Sequence, residues 1–166
     1  SSNYDTFWGT PSSRITAGSG LTWTGNTLTA TGGGGSYIDV SKYDYVIRVS
    51  GGVTSAIDTV TGSSTSTSTN ANVPIQFAID ALPSGGAILM DTVTFVVATS
   101  INVTDNITLV GKGWQTYVKA TSSMNAPVIR NKGIGTNATN TNIVVRDIYF
   151  DGDKANQSVA FSTFYF

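Results

Sequence analysis

The residues of this chain best suited to chemistry are the acidic side chains of the run Asp151-Gly152-Asp153-Lys154. Two carboxylates that flank a glycine offer the oxygen ligands that calcium prefers. Asp and Gly are also typical turn residues, because Asp hydrogen-bonds to nearby backbone and Gly adopts left-handed conformations. The run therefore predicts a turn, with a calcium site at Asp151 and Asp153 as the functional alternative.

The residue types that the chain lacks narrow its chemistry further. It contains no Cys and no His, and no Glu occurs anywhere in the sequence. These absences exclude disulfides, thiolate nucleophiles, zinc sites built on His or Cys, Ser-His-Asp triads and hydrolases that depend on Glu. No residue of this chain is predicted to be catalytic, and calcium is the only cofactor considered.

Aromatic side chains offer a second kind of site, because their faces stack on sugar rings. Trp114 follows the Gly111-Lys112-Gly113 turn, so Trp114, Tyr117 and Lys112 are the candidates for carbohydrate binding. A packing role for Trp114 and an ordinary solvated role for Lys112 are the alternatives. The other aromatic residues are predicted to serve the core or subunit assembly: Trp8, Trp23, Phe161, Phe164, Tyr165 and Phe166.

Composition points to an exposed, β-rich protein. The chain has 166 residues, only 11% of them charged, with a net charge of −1. Abundant Ser, Thr, Asn and Gly are typical of turn-rich extracellular or virion proteins. No basic run is present, so a nucleic-acid partner is not expected. No apolar run is long enough to span a membrane.

The stretch from Val73 to Lys119 predicts one short helix followed by strands. Ile75, Ala78, Ile79 and Leu82 fall at helical spacing and form one apolar stripe, and Pro83 with the following glycines ends the helix. The predicted strands are residues 87–90, 93–97, 107–110, 117–120, 128–130, 143–146 and 148–150. A single helix that precedes only strands indicates a cap on a stack of strands.

The motifs of this region resemble a known family. The segments IQFAIDALPSGG, ILMDTVTF, INVTDNITLVGKGWQTYVKA and NIVVRDIYFDGDKAN resemble the first coils of the pectin-lyase-like superfamily of right-handed parallel β-helices. The resemblance covers roughly residues 70–157 and implies an all-β fold of two to three coils with one capping helix. It implies little about function, because this superfold carries lyases, hydrolases, tail spikes and adhesins.

The resemblance also implies where catalysis would lie. In enzymes of this family, carboxylates bind calcium, a Lys or Arg abstracts a proton, and hydrolases use groups of Asp. Asp151 and Asp153 match only the family's generic Asp-Gly turn, and the catalytic coils lie further along than this chain extends. If the chain belongs to an enzyme, its active site is expected beyond residue 166.

Four segments follow from composition and pattern. Residues 1–36 predict a small β-rich module or extended arm, whose run LTWTGNTLTA resembles repeats of viral tail fibres. Residues 37–61 predict a hairpin that turns at Gly51-Gly52, and residues 62–72 predict a polar linker. Residues 73–166 predict the capping helix and the coils.

The spacing of the coils and the end of the chain carry a prediction about assembly. Ile107 and Ile143 are taken as equivalent positions, 36 residues apart, so the intervening turn must hold an insertion. The aromatic run FSTFYF would leave an apolar end uncovered. We expect either a longer parent polypeptide or self-association, for example as a trimer or filament.

Three functions are consistent with these patterns. The first is a structural or receptor-binding component of a viral tail spike or fibre, or a similar extracellular filament, which assembles through its N-terminal arm and its open β-helix end. A cell-surface glycan is a further partner. The second is the N-terminal fragment of a secreted polysaccharide lyase or glycoside hydrolase. The third is a cell-surface adhesin or sheath subunit. All three predict an extracellular or virion-surface location.

Overall fold

The computed structural model of the chain describes residues 21–24, 27–30, 40–133, 140–160 and 162–166. It divides into two units, Ser1–Ile38 and Asp39–Phe166, close to the boundary predicted after residue 36. In the first unit, β1 (Leu21–Thr24) pairs antiparallel with β2 (Thr27–Ala30). Trp8 and Phe161 lie outside the described residues, and only the backbone of Trp23 is described.

The second unit begins with an antiparallel meander, after a 3₁₀ turn at Val40–Lys42. The strands β3 (Tyr45–Ser50) and β4 (Val53–Asp58) form the predicted hairpin. Its turn is made by Gly51 and Gly52, whose φ angles of 57° and 79° favour glycine.

The segment predicted as a polar linker contains a strand instead. β5 (Ser64–Ser68) pairs antiparallel with β4. Its Ser and Thr side chains are largely exposed, so the polar composition that suggested a linker is also what a solvated edge strand requires. Composition predicted the exposure of this segment correctly but did not reveal its backbone pairing.

The helix α1 (Asn72–Asp80) follows and carries the predicted apolar stripe. Ile75, Ala78 and Ile79 are buried in the main core, and Leu82 packs against that core just beyond the helix. Phe77 lies on the outer side, 40% exposed, where its ring meets Tyr45 edge to face at 6.3 Å between centroids.

Strands β6 to β12 are arranged in three parallel ladders. Their bounds are β6 (Gly86–Met90), β7 (Thr94–Val97), β8 (Ile101–Val103), β9 (Ile107–Ala120), β10 (Ile129–Asn131), β11 (Val144–Asp151) and β12 (Phe164–Tyr165). The first ladder joins β3, β6 and the first halves of β9 and β11. The second joins β7 to the second halves of β9 and β11. The third joins β8, β10 and β12.

The chain visits these ladders in the same order three times. Side chains in equivalent positions therefore stack, as Ile88, Leu109 and Val145 do in the first ladder. The corresponding stacks are Phe95, Val118 and Phe150 in the second ladder and Ile101, Ile129 and Phe164 in the third. The core of the second unit lies between the ladders, and burying each large apolar side chain stabilises it by about 1.5–3 kcal/mol.

The predicted strands are present, with three differences. Residues 107–110 and 117–120 were predicted as separate strands around a turn, but they belong to one 14-residue strand, β9. Residues 143–146 and 148–150 were likewise predicted as two strands and form one, β11. The three-residue strand β8 was not predicted. The predicted spacing is confirmed: Val144 pairs with Thr108, an offset of 144 − 108 = 36 residues.

The predicted all-β class is confirmed at the level of a mostly β structure with a mixed seven-stranded sheet. Within the described parts of the chain, no helix has the length and apolar character needed to cross a membrane.

Candidate functional site: an aromatic surface beside Asp151

Three rings form a continuous aromatic surface on the outside of the second unit, composed of Trp114, Tyr117 and Tyr149. The ring centroids of Trp114 and Tyr149 are 5.4 Å apart, and those of Tyr117 and Tyr149 are 5.1 Å apart. Trp114 is 82% exposed and Tyr149 is 44% exposed. Such a surface can accept another flat apolar face, because aromatic side chains lose little conformational entropy on binding.

A bend in the two longest strands positions this surface. The register between β9 and β11 shifts around Asp147, whose φ of 58° lies in the left-handed region. Gly111 allows the approach, because a Cβ atom there would lie 2.1 Å from the carbonyl oxygen of Asp147. The fully buried Thr116 holds the inner side of the bend in β9. Its hydroxyl accepts a hydrogen bond from the N–H of Lys112 at 2.8 Å and donates one to the carbonyl of Asp91 at 3.1 Å.

Tyr117 is tied to Asp151 on the neighbouring strand. The Tyr117 hydroxyl donates a short hydrogen bond to the Asp151 carboxylate. This hydrogen bond raises the pKa of Tyr117 to about 12, with burial as the second cause. The same bond, together with the backbone N–H of Asp153, holds the pKa of Asp151 below its ordinary value. At neutral pH the pair is therefore a neutral phenol bound to a carboxylate, and neither group is prepared for proton transfer.

The predicted calcium ligands are both engaged in structural contacts. Asp151 accepts the backbone N–H of Asp153 at 2.7 Å, as the predicted turn requires. Asp153 forms an ion pair with Lys119 at 3.6 Å and accepts the side-chain amide of Asn156 at 2.9 Å. Among the described residues, no three acidic side chains converge as metal ligands.

Lys112 is not part of the aromatic surface. Its ammonium donates to Asp91, which also lies 3.7 Å from Arg48. Burial raises the pKa of Asp91, but the hydrogen bonds from Lys112 and from the backbone of Thr92 outweigh burial, so that the pKa lies below its ordinary value. The structure thus brings together Trp114 and Tyr117 from the predicted carbohydrate site and directs the charge of Lys112 to the corner between β6 and β7.

Two surface clefts border this region. The first has a volume of about 250 Å³ and is lined by Gly113, Trp114, Asp147, Ile148 and Tyr149. The second has a volume of about 440 Å³, and its lining residues are Phe150, Asp151, Gly152, Lys154, Gln157, Val159, Ala160 and Thr163. The first cleft has the aromatic wall and the nearby carboxylate that a sugar ring uses.

The last round of strands forms a second candidate site, which we call the open end. Its inward positions Val145 and Phe150 are only partly buried, and Phe164 is 46% exposed. Tyr165 and Phe166 are 52% and 57% exposed. Phe164 contacts Phe150 edge to face at 4.9 Å and stacks with Phe166 at 6.4 Å. Two of the predicted assembly residues, Phe164 and Phe166, therefore lie together on an exposed apolar surface.

Sequence reasoning missed Tyr149, Asp147 and Asp91 as members of these sites. Tyr149 belongs to a predicted strand, where alternation places it on the face opposite Ile148 and Phe150. Its position beside Tyr117 depends on an offset of 149 − 117 = 32 residues, which differs from the offset of 36 in the first ladder. The change arises because β9 takes seven steps from Val110 to Tyr117, whereas β11 takes three from Arg146 to Tyr149. No sequence signal marked these four extra residues of β9.

Comparison of the chain with protein-family models, with curated proteins and with solved structures finds no match.

Proposed function

We propose that this chain is an assembly module of an extracellular filament, such as a viral tail spike or fibre, and that its second unit is a right-handed parallel β-helix of three coils. The pectin-lyase-like superfamily that the sequence resembles is the corresponding fold family. The threefold repetition of the ladder order supports the coil assignment. Right-handedness is expected because parallel strands are joined by right-handed crossovers in nearly all proteins.

One observation carries the assembly proposal: burial falls from the first coil to the last in all three stacks. Ile88, Phe95 and Ile101 are at most 1% exposed, whereas Phe164 in the last coil is 46% exposed. A coil at the end of a stack leaves its inward side chains and one backbone edge without neighbours, which favours pairing with further strands.

The opposite end of the stack is closed, because α1 and the residues before it bond to the first coil. The amide of Gln76 in α1 bonds to both the N–H and the carbonyl of Asn102 in β8, at 2.8 and 3.1 Å. The N–H of Ala71 bonds to Val96 in β7 at 2.9 Å. The helix and its flanking residues thus satisfy edge groups of the first coil, and the edge strand β5 at this end carries only Ser and Thr side chains. The exposed apolar surface lies at the open end.

Sedimentation velocity on the 166-residue chain tests the assembly proposal. We expect concentration-dependent association that Phe164→Asp weakens, because a carboxylate at an apolar contact has to be desolvated. Val60→Asp is the matched control, since Val60 is 91% exposed in the turn after β4. Specific interfaces associate at micromolar concentrations or below. The proposal would be overturned if the wild-type chain remained monomeric up to about 100 μM.

The aromatic surface supports a second role, binding of a cell-surface glycan. Trp114 presents its ring beside the first cleft, and Asp147 supplies a carboxylate that accepts sugar hydroxyl groups. Screening of neutral and acidic oligosaccharides by tryptophan fluorescence tests this role. Trp114→Ala should abolish any binding, whereas Lys112→Ala should leave it unchanged. Equal binding by the wild type and by Trp114→Ala would exclude this surface.

A further inference from the structure

The outer edge of β11 has no strand beside it among the described residues, since β11 is the terminal strand of the seven-stranded sheet. We propose that two copies of this chain join at their open ends across a two-fold axis, with β11 of each copy antiparallel to β11 of the other. This inference rests on the proposed assembly function and specifies the partner and its register.

The charges of β11 are self-complementary. Arg146 and Asp147 are adjacent, 57% and 51% exposed, and form an ion pair within the chain at 2.6 Å. When two such strands run antiparallel about a point between these residues, Arg146 of each copy lies opposite the partner's Asp147. One two-fold axis thus creates two equivalent pairs of opposite charge, and facing charges of opposite sign favour the pairing.

The apolar residues of β11 match in the same register. Val145 lies opposite the partner's Ile148, and both side chains pack against the core of their own copy. Val144 lies opposite the partner's Tyr149, and these two side chains are 43% and 44% exposed. Inward residues therefore meet inward residues, and outward residues meet outward residues.

The bend at Asp147 makes this match possible. In a regular strand, residues whose numbers differ by an odd value point to opposite faces. Val145 and Ile148 differ by three, yet both pack against the core, because the left-handed conformation of Asp147, at a φ of 58°, bends β11 between them. Without the bend, the pairing of Arg146 with the partner's Asp147 would set apolar inward side chains against outward ones.

The bend also fits the symmetry of the whole coil. β11 contributes one arm to the first ladder and one to the second, so a two-fold axis through the bend exchanges the arms. The remaining side of the coil is β12, which the same axis places antiparallel to the partner's β12. The exposed ring of Phe164 then lies against the apolar end of the partner.

Head-to-tail association is disfavoured by the closed first coil. Gln76 and Ala71 bond to the edges of β8 and β7, and β3 pairs with β6, so the described part of the first coil has no edge for a head-to-tail neighbour. Among the described strands, β5 also ends the sheet, but it carries only Ser and Thr side chains, so the apolar open end is the surface that pairs with itself. Such a contact forms a closed two-fold dimer.

Charge exchange between two variants tests this register. Arg146→Asp sets carboxylates opposite the partner's Asp147, and Asp147→Lys sets ammonium groups opposite the partner's Arg146. Each variant alone should dimerise at least about tenfold more weakly than the wild type, because facing like charges oppose association. In an equimolar mixture every facing pair is again of opposite sign, so sedimentation should show that the heterodimer is restored.

Controls separate folding from association. Lys132→Asp reverses an exposed cation that pairs with Asp80 in α1, and it should leave dimerisation unchanged. Asp147→Lys places a side chain at positive φ, so Asp147→Asn, which tolerates this conformation, serves as a neutral second variant of intermediate affinity. Circular dichroism checks that each variant is folded.

Disulfide trapping provides an independent readout, since the chain has no Cys. A chain with both Val144→Cys and Tyr149→Cys should form a covalent dimer on mild oxidation, because the two substituted positions face each other across the axis. A chain with Val144→Cys alone should not.

The possible outcomes distinguish this inference from the proposed function. Association of the wild type that neither charge variant weakens, failure of the mixture to restore the dimer, or growth into open filaments would overturn the two-fold register while leaving assembly in place. A wild-type chain that stays monomeric would overturn the assembly function itself.

Discussion

At the scale of single residues, the polar side chains of this protein act mainly on the backbone and on each other. Asp151 joins Tyr117 to the following turn, Asp91 collects two cations, and Asp58 accepts the N–H groups of Val60 and Thr61 at 2.8 and 2.9 Å. Each carboxylate thereby serves a turn or corner.

Tyr117 and Asp151 give the clearest pH dependence. Asp151 has a lowered pKa in the folded state, so its contribution is present above its unfolded pKa and is lost as pH falls through the folded value. Tyr117 has a raised pKa, so its contribution is complete below pH 10.0 and is lost as pH rises towards about 12. Tyr117→Phe removes the phenol itself and the largest cause of the lowered pKa of Asp151.

Urea unfolding measured across pH tests this expectation. Tyr117→Phe should lower the free energy of unfolding by about 1 kcal/mol at neutral pH, a value reduced for solvent exposure. The difference from the wild type should shrink in strong acid and in strong alkali. Tyr165→Phe, in the short strand β12, is the control and should change little. If the stability difference between Tyr117→Phe and the wild type did not change with pH, the hydrogen bond from Tyr117 to the Asp151 carboxylate would not be its cause.

At the scale of elements, equivalent positions in successive coils carry equivalent turns. Gly85, Asn106 and Asn142 all have positive φ, with values of 91°, 57° and 56°. Their spacing follows the first ladder, and the side-chain amide of Asn142 donates to that of Asn106 at 2.9 Å. Gly and Asn are the residues that adopt this conformation most readily, so the corner before each coil has a consistent residue type.

Gly111 and Gly113 provide a matched test of the bend. Gly111→Ala introduces a Cβ atom 2.1 Å from the backbone of Asp147, so β11 has to move away from β9. Gly113→Ala meets nothing within 4 Å, although its φ of 79° adds strain. We expect Gly111→Ala to cost about 3 kcal/mol or more and Gly113→Ala about 1 kcal/mol, measured by urea unfolding. Equal costs would mean that the close approach at Gly111 is relieved without loss.

The cap on β8 is a second element-scale prediction. Gln76→Ala leaves the N–H and carbonyl of the half-buried Asn102 without their partner, which should cost about 1–3 kcal/mol of unfolding free energy. Gln76→Glu keeps the acceptor but loses the donor and should cost less. Val73→Ala, at a 46% exposed position of the same helix, is the control. A Gln76→Ala variant as stable as this control would show that water replaces the cap.

At the scale of the whole molecule, the second unit is asymmetric along its stack. One end is closed by α1 and the meander, and the other exposes the last coil. β9 is paired on both sides over residues 108–110 and 117–119, whereas β11 is paired only with β9 among the described strands.

Amide hydrogen exchange should report this asymmetry. The amides of β9 should exchange most slowly, and the outward amides of β11 and β12 much faster, because local opening needs less energy at an edge. Raising the protein concentration should protect β11 and β12 selectively if the open ends associate. Uniform exchange across β9 and β11 at all concentrations would contradict both the asymmetry of the stack and the association of its open ends.

The sequence alone determined the features that depend on local pattern. The helical spacing of Ile75, Ala78 and Ile79 predicted α1, the glycine pair at 51–52 predicted the first hairpin of the second unit, and the distance from Ile107 to Ile143 predicted the repeat of 36 residues. Each of these signals is a periodicity or a conformational preference that acts within a segment or between two equivalent segments.

Only the tertiary structure decided which side chains meet. Lys112 was predicted to belong to a sugar site because it is close to Trp114 in the sequence. Its ammonium pairs with Asp91 instead, and the ring beside Trp114 is that of Tyr149. The place of Tyr149 follows from four extra residues in β9 between Val110 and Tyr117, which change the offset between the paired strands from 36 to 32 residues. A register is set by packing across the whole coil, so the acidic run at Asp151 became a partner of Tyr117 through contacts that no local pattern contains.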